Sequence, residues 1–346
     1  MRWYYIKFTP TEKAPNPNVP GFVLEYGSSV QTQTLFNPNG ANLPGALEVE
    51  FNFEVAAFDQ RIPDGQIKIY NPPLPVLQNA DKYRGMTVEV RAGFASYDGV
   101  GLPLANVSQS GLIGYGKVSV SFANWVGGDM ALNLVISPAL QGIPSIAENP
   151  VSSAPYQFVW KKGQTFEEAI TATFKPLGYE KPTVKLDPDL KWPGYNVIIT
   201  ANDLISFSNQ LRRATADLVP TTYLNGVSLI LQSPGVIVVS NTTKSPTTTI
   251  QIQPQDVVGQ PTISYTGEFI AVQSVHPLRA DIRAGMGIML NGVYPLFNPT
   301  SPFNNTKPLT LADKTLFVQK VRQVGKFRDN SYQGWVTVLD SGIIPS

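Results

Sequence analysis

Few residues in this chain have the types and spacing that chemistry requires. His276 is the single histidine and cysteine is absent, which excludes multi-histidine and thiolate metal sites, disulfides and cysteine nucleophiles. One histidine could act as a triad base, but no Gly-x-Ser-x-Gly turn accompanies it. Its setting, Val275-His276-Pro277-Leu278, reads as packing. Gly285-Met286-Gly287 lacks the third glycine of a dinucleotide fingerprint and follows Asp281-Ile282-Arg283, so it reads as a turn. Asp187-Pro188-Asp189 lacks the glycine and terminal glutamate of a calcium loop. Glu167 and Glu168 are neighbours in the first turn of an expected helix. There they do not face each other, and both complement the helix dipole. No Walker sequence is present. No catalytic residue, metal ligand or cofactor can be assigned, and the chain reads as a non-enzyme.

The remaining candidates are charged side chains on strand faces. Leu47, Val49, Phe51, Phe53 and Val55 alternate with Glu48, Glu50, Asn52 and Glu54. Such strict alternation makes one face buried and one polar. Met86, Val88 and Val90 alternate in the same way with Thr87, Glu89 and Arg91. Glu48, Glu50, Glu54, Glu89 and Arg91 are therefore candidates to face an aqueous lumen or an interface. An ordinary solvated face is the competing reading. The 10–45 arm and the 291–310 loop, both rich in Pro, Asn and Gly, are candidate contact regions.

The elements that must position these residues are mostly short strands. Proline (30) and glycine (28) recur between apolar runs, and charged residues make up only 15% against about 25% in an ordinary domain. That mixture favours turn-linked strands and surfaces covered by neighbours. The net charge of +1 argues against binding driven by phosphate neutralisation. No apolar run approaches the length of a membrane span, and MRWYYIKFTPTEK lacks the apolar stretch of a secretory signal. At least six strands are expected by residue 136, with Gly111, Gly114 and Gly116 permitting a bulge or a close backbone approach. In the middle, Thr165 and Glu168 form a capping box ahead of a helix at Phe166–Phe174. A second helix follows near Asp203, ending in Arg212-Arg213. Asn225-Gly226 and Ser233-Pro234-Gly235 predict hairpin turns. The last ninety residues, with apolar runs punctuated by Gly267, Gly285 and Gly292, predict a small antiparallel barrel.

The order IKIYNPP (67–73), YRGMTVEVRAGF (83–94) and LIGYGKVSVSFANWVGGDMALNLVIS (112–137) resembles the tail-hub proteins of tailed bacteriophages. FVWKKGQTFEEAITATFKPLGY (158–179) is similar to the middle domain of such a hub. VVGQPTIS, HPLRADIRAGMGIML and KVRQVGKFRDNSYQGWVTVLD resemble its C-terminal barrel in the same order. The resemblance implies a mainly β fold with a small α/β insertion: two tube-like antiparallel β-barrel domains plus a middle α/β domain. Domains are expected at 1–145, 146–220 and 254–346, with a hairpin or linker segment at 221–253 that could pack on the first. It implies a homotrimeric baseplate hub joining the sixfold tail tube to a threefold central spike and lining the DNA channel. Implied partners are further copies of itself, a tail tube or tube-initiator protein, the spike, and tape-measure and wedge proteins. DNA would be met only in transit. The location implied is the virion, after synthesis in the host bacterial cytoplasm. The alternative is a glycan-binding or glycan-cleaving virion protein, which requires clustered exposed tryptophans among Trp125, Trp160, Trp192 and Trp335 and a carboxylate pair in a cleft.

Overall fold

The alternation at 48–55 builds a strand because its apolar side chains have a core to enter on one side only. In the computed structural model that strand is Val49–Ala56, with Val49, Phe51 and Phe53 buried. The structure describes residues 2–343 apart from 13, 29–44, 57–63, 95–108, 127, 138–155, 178–182, 186–189, 203, 219–225, 234–235, 242–248, 267–268, 298–310 and 312–313.

The first region comprises β1 (Arg2–Thr9), β2 (Glu25–Gly27), β3 (Val49–Ala56), β4 (Gly65–Tyr70), α1 (Leu74–Gln78), β5 (Thr87–Phe94), β6 (Ser110–Val126) and β7 (Asp129–Ser137). The middle region holds β8 (Tyr156–Trp160), α2 (Phe166–Phe174), β9 (Thr183–Lys185), β10 (Val197–Ala201), α3 (Leu204–Thr215), β11 (Val227–Ser233) and β12 (Val236–Asn241). The last region runs through β13 (Thr249–Ile252), β14 (Thr262–Thr266), β15 (Phe269–Pro277), β16 (Gly287–Leu290), β17 (Leu296–Phe297), β18 (Leu316–Lys326) and β19 (Trp335–Ile343). The chain is mainly β. One 14-stranded sheet collects the strands of the first and last regions, in the order β17-β14-β15-β19-β18-β3-β4-β7-β6-β5-β1-β2, with β13 and β16 off this path. Most pairs are antiparallel; β13–β16, β14–β17 and β9–β12 are parallel. No helix among the described residues is long and apolar enough to cross a membrane.

Three cores organise the packing. The first gathers side chains such as Ile6, Phe51, Ile69, Val90 and Leu134, and it also takes Phe327 and Trp335 from the β18–β19 hairpin. The second lies in the middle region, where the capping box at Thr165 forms as expected and α2 buries Phe166, Ile170 and Phe174. The third is built from Ile252, Ile263, Val272, Ile288, Val318 and Leu339, among others. The segment expected at 221–253 divides between them: Val227, Leu229 and Val239 enter the second core, and Ile252 enters the third. Its hairpin is β11–β12, while Asn225, Pro234 and Gly235 lie outside the described residues.

The first and last regions repeat one unit two hundred residues apart. Ala80-Asp81 and Ala280-Asp281 each precede Gly85-Met86 and Gly285-Met286. Both glycines take the left-handed conformation, with φ of 88° and 84°, which a side chain would resist. Gly85 donates to the Val118 carbonyl and Gly285 to that of Val318, each at 2.8 Å. The register of β6 on β7 slips between Val118 and Val120, and that of β18 on β19 slips between Val318 and Lys320. The strand series β6-β7-β4-β3 and β18-β19-β15-β14 are therefore equivalent four-stranded units, and the β18–β3 pairing joins them edge to edge.

Close approach governs that joint. A Cβ built on Gly325 would overlap the Phe51 ring, which is itself held 5.0 Å from the Trp335 ring. The expected close approach of β6 is present as well, at Gly114 over the ring of Phe53. Gly325→Ala should therefore destabilise the fold by about 1–3 kcal/mol through overpacking. Adding Phe51→Leu should recover part of that loss, both read from urea denaturation midpoints.

Candidate functional site: a wet sheet face and its seam

Residues directly opposite one another on paired strands share a face, so rows across the sheet trace its polar side. One row runs Lys326–Glu50–Lys68–Asn133–Phe122. Another runs Thr262–Gln273–Asp340–Lys320, with Gln273 donating to Asp340 at 2.8 Å. The polar side of β3 meets cations at the seam. Lys320 Nζ lies 2.7 Å from Glu54, Lys326 Nζ 3.2 Å from Glu50 and Arg328 Nε 3.9 Å from Glu48. Arg322 Nε donates to Asn52 at 2.9 Å. Glu54 is the most enclosed of these acids and Arg328 the most open of the bases. Burial pushes the Glu48 carboxyl up, and the backbone N–H and guanidinium of Arg328 pull it back. The face is thus densely charged yet balanced, each glutamate of β3 having its own cation.

Glu48, Glu50 and Glu54 are brought together on this face. Glu89 and Arg91 are not part of that cluster: β5 is separated from β3 by β4, β7 and β6. They form their own ion pair at 3.6 Å, opposite Lys7 and Tyr5 of β1. The described part of the 10–45 arm packs back onto the first core. Phe8 donates its N–H to the Leu24 carbonyl at 2.8 Å, and Tyr26 is buried with its hydroxyl 3.0 Å from that of Tyr83. Apolar side chains within the polar-looking arm draw it inward. Residues 29–44 and 298–310 lie outside the described residues.

His276 and the charged side chains near it are held in structural hydrogen bonds. His276 is fully buried, with Nε2 2.8 Å from the Ser274 hydroxyl and Nδ1 2.8 Å from the Asp256 carbonyl. Burial lowers its pKa from 6.5 to about 4. Nearby, Arg279 grips Asp281 with two hydrogen bonds of 3.0 and 2.7 Å. Its backbone is held by Thr337 and Gln323, which bond each other at 2.6 Å. Arg283 donates to the Leu112 carbonyl at 2.7 Å, tying the last region to β6; burial lowers its pKa. This network escaped sequence reasoning because its members are scattered over 279–337. Its only local signal is the repeated Ala-Asp-x-x-x-Gly-Met. Among the described residues no group of three or more His, Asp or Glu could hold a metal. An open groove of about 540 Å³ beside α2 contains one carboxylate, Glu168, already engaged in the capping box. Trp3, Trp160 and Trp335 are buried, whereas Trp125 is 68% exposed; an exposed tryptophan cluster for stacking sugars is absent among the described residues.

No family model matches the chain, and no curated protein does. Among solved structures it is similar to the 43 kDa tail protein of prophage MuSo2 from Shewanella oneidensis, at 9% identity and a TM-score of 0.48, covering 87% of this chain and 99% of that one. It is also similar to a tail protein from Neisseria meningitidis MC58, at 10% identity and a TM-score of 0.45, covering 99% and 97%. A third similarity is to a Francisella PdpA–VgrG complex, at 9% identity and a TM-score of 0.44. There the match covers 99% of this chain and 58% of the other.

Two outcomes test the electrostatics of this face and of the core beside it. Glu54→Lys or Lys320→Glu alone should each cost about 1 kcal/mol, and the double exchange should restore most of it, as measured by a double-mutant cycle. For His276 the folded pKa lies below the unfolded one, so the unfolded chain binds more protons between them. Stability should be level above pH 6.5, fall by on the order of 2–4 kcal/mol as pH drops to about 4, and level off below. His276→Gln should flatten that slope in urea titrations.

Proposed function

We propose that the protein is the structural hub of a phage tail baseplate, a homotrimer in which six equivalent four-stranded units form a ring. The observation that carries this reading is the duplicated unit joined at the β3–β18 seam. A chain that already sets two such units side by side supplies a sixfold arrangement from three copies. The ring would present sixfold geometry to a tail tube or tube-initiator protein on one side and threefold geometry to a central spike on the other. Tape-measure and wedge proteins would be further neighbours. The wet face would line the channel that DNA crosses, with Glu48, Glu50 and Glu54 in its wall. Their pairing with Lys326, Lys320 and Arg328 suits a conduit, since a strongly cationic wall would retain the phosphates it must pass. Glu89 and Arg91 would face a neighbour or solvent away from that ladder. The function is assembly geometry without bond breaking, performed in the virion after synthesis in the host cytoplasm. The low charged fraction fits large obligate interfaces, whose centres are depleted of charge.

Light scattering behind size exclusion, across a concentration series, should give the mass of three protomers. Electron micrographs of that species should show a ring with an axial hole. A dimer or an open-ended polymer would overturn the reading, because neither provides a threefold adapter.

A further inference from the structure

Among the described residues, β8 and β10 of the middle region form a sheet of two strands. Its inner face is core, with Phe158, Trp160, Val197 and Ile199 buried among side chains of α2 and α3. On its outer face Ile198 is 68% exposed, directly opposite the half-buried Val159. Two strands alone make a marginal sheet with two open edges. Among the described residues β8 pairs with β10 and no other strand, so its backbone groups that point away from β10 have no ladder beside them.

That edge of β8 is one wall of the groove of about 540 Å³ beside α2. Val159 stands on the strand side, and Ala169 and Ala172 on the helix side. Alanines there keep α2 from filling the space that a third strand would take. The far end of the groove is cationic. Lys161 and Lys162 line it, both exposed, where β8 gives way to a tight turn. Gln164 fixes that turn: its N–H donates to the Lys161 carbonyl at 3.1 Å, and its carbonyl accepts from the Trp160 indole at 2.8 Å. Neither lysine has an ion pair among the described residues. The carboxylate in the groove, Glu168, is held by the capping box.

We propose that this edge of β8 is a strand-addition site for an extended, acidic segment of another protein. The segment runs antiparallel to β8, the more stable ladder, and begins at the lysines. Its acidic residues meet Lys161 and Lys162, and an apolar residue stands opposite Val159. That residue extends the row Ile198–Val159 and covers it. Main-chain hydrogen bonds supply the affinity, and the lysine pair at one end sets the direction. A second copy of this chain does not supply the complement. Its own β8 would bring two more lysines to the groove and no acid free of a cap. The site goes beyond the hub reading and does not rest on it.

The probe is the peptide acetyl-Asp-Asp-Val-Val-Val-Thr, labelled with fluorescein at its C-terminus and titrated with the full chain by anisotropy. Saturable binding is expected. Lys161→Glu combined with Lys162→Glu should weaken it about tenfold, the least that losing a close charge pair costs. The reversed peptide, acetyl-Thr-Val-Val-Val-Asp-Asp, should bind about tenfold more weakly for the same reason. Ala172→Phe, at an exposed helix position, should block the groove without lowering the thermal midpoint. Peptide binding should also slow amide exchange across residues 156–160, which a purely ionic contact with the lysines would leave unchanged. Absence of saturable binding at millimolar peptide would overturn the proposal. Binding that ignores Ala172→Phe, or that leaves exchange in β8 as it was, would overturn it too. Association of protomers that Ala172→Phe abolishes would overturn it in favour of a second copy as occupant. A trimer that persists in Ala172→Phe and in the lysine variants keeps the hub reading separate from every one of these results.

Discussion

The pairing of β3 with β18 is the constraint on which the rest of the structure depends. It turns two four-stranded units into one sheet and brings together residues from opposite ends of the chain. Its geometry is set by Gly325, which lets Phe51 approach the backbone and meet the Trp335 ring edge-on. Trp335 in turn donates its indole N–H to the Gly93 carbonyl at 3.2 Å. Arg2 clamps the far side through the carbonyls of Lys326, Asp329 and Ser331. The β18–β19 hairpin therefore belongs to two cores at once, with Val318 and Leu339 in one and Phe327 and Trp335 in the other.

Charge is handled differently on the two sides of this sheet. On the wet side, the bases of β18 and the acids of β3 pair where water still reaches them, so each pair adds little to stability and chiefly specifies register. On the buried side, Arg279 and Asp281 are neutralised by each other, and the Gln323–Thr337 pair satisfies the backbone around them. Leaving any of those groups without its partner would be far costlier than losing a surface pair. His276 follows the same logic by remaining neutral.

Local chemistry made much of this legible from the chain alone. The alternation at 47–55, the capping box at Thr165 and the turn glycines Gly285 and Gly292 each express a short-range rule, and each appears in the structure near its expected place, while Gly267 lies outside the described residues. The polar face carrying Glu48, Glu50 and Glu54 was readable for the same reason. That those acids meet Lys326, Lys320 and Arg328 was not, because strand pairing over such separations leaves no periodic signal in either strand. The described part of the arm packs inward because Phe22, Leu24 and Tyr26 stand among its prolines and asparagines. The duplicated unit left a visible trace at 80–86 and 280–286, but only register and bulge position reveal that two hundred residues separate equivalents.

The residues that meet at the seam are as much as 270 positions apart, as Arg322 and Asn52 show. On a ribosome adding about 5–20 residues per second, β3 is made roughly ten seconds to a minute before its partner strand exists. Throughout that interval its hydrogen-bonding edge is open to any other nascent strand. The alternating glutamates give that waiting edge a negative charge, so neighbouring chains carrying the same strand repel one another until the cations of β18 arrive.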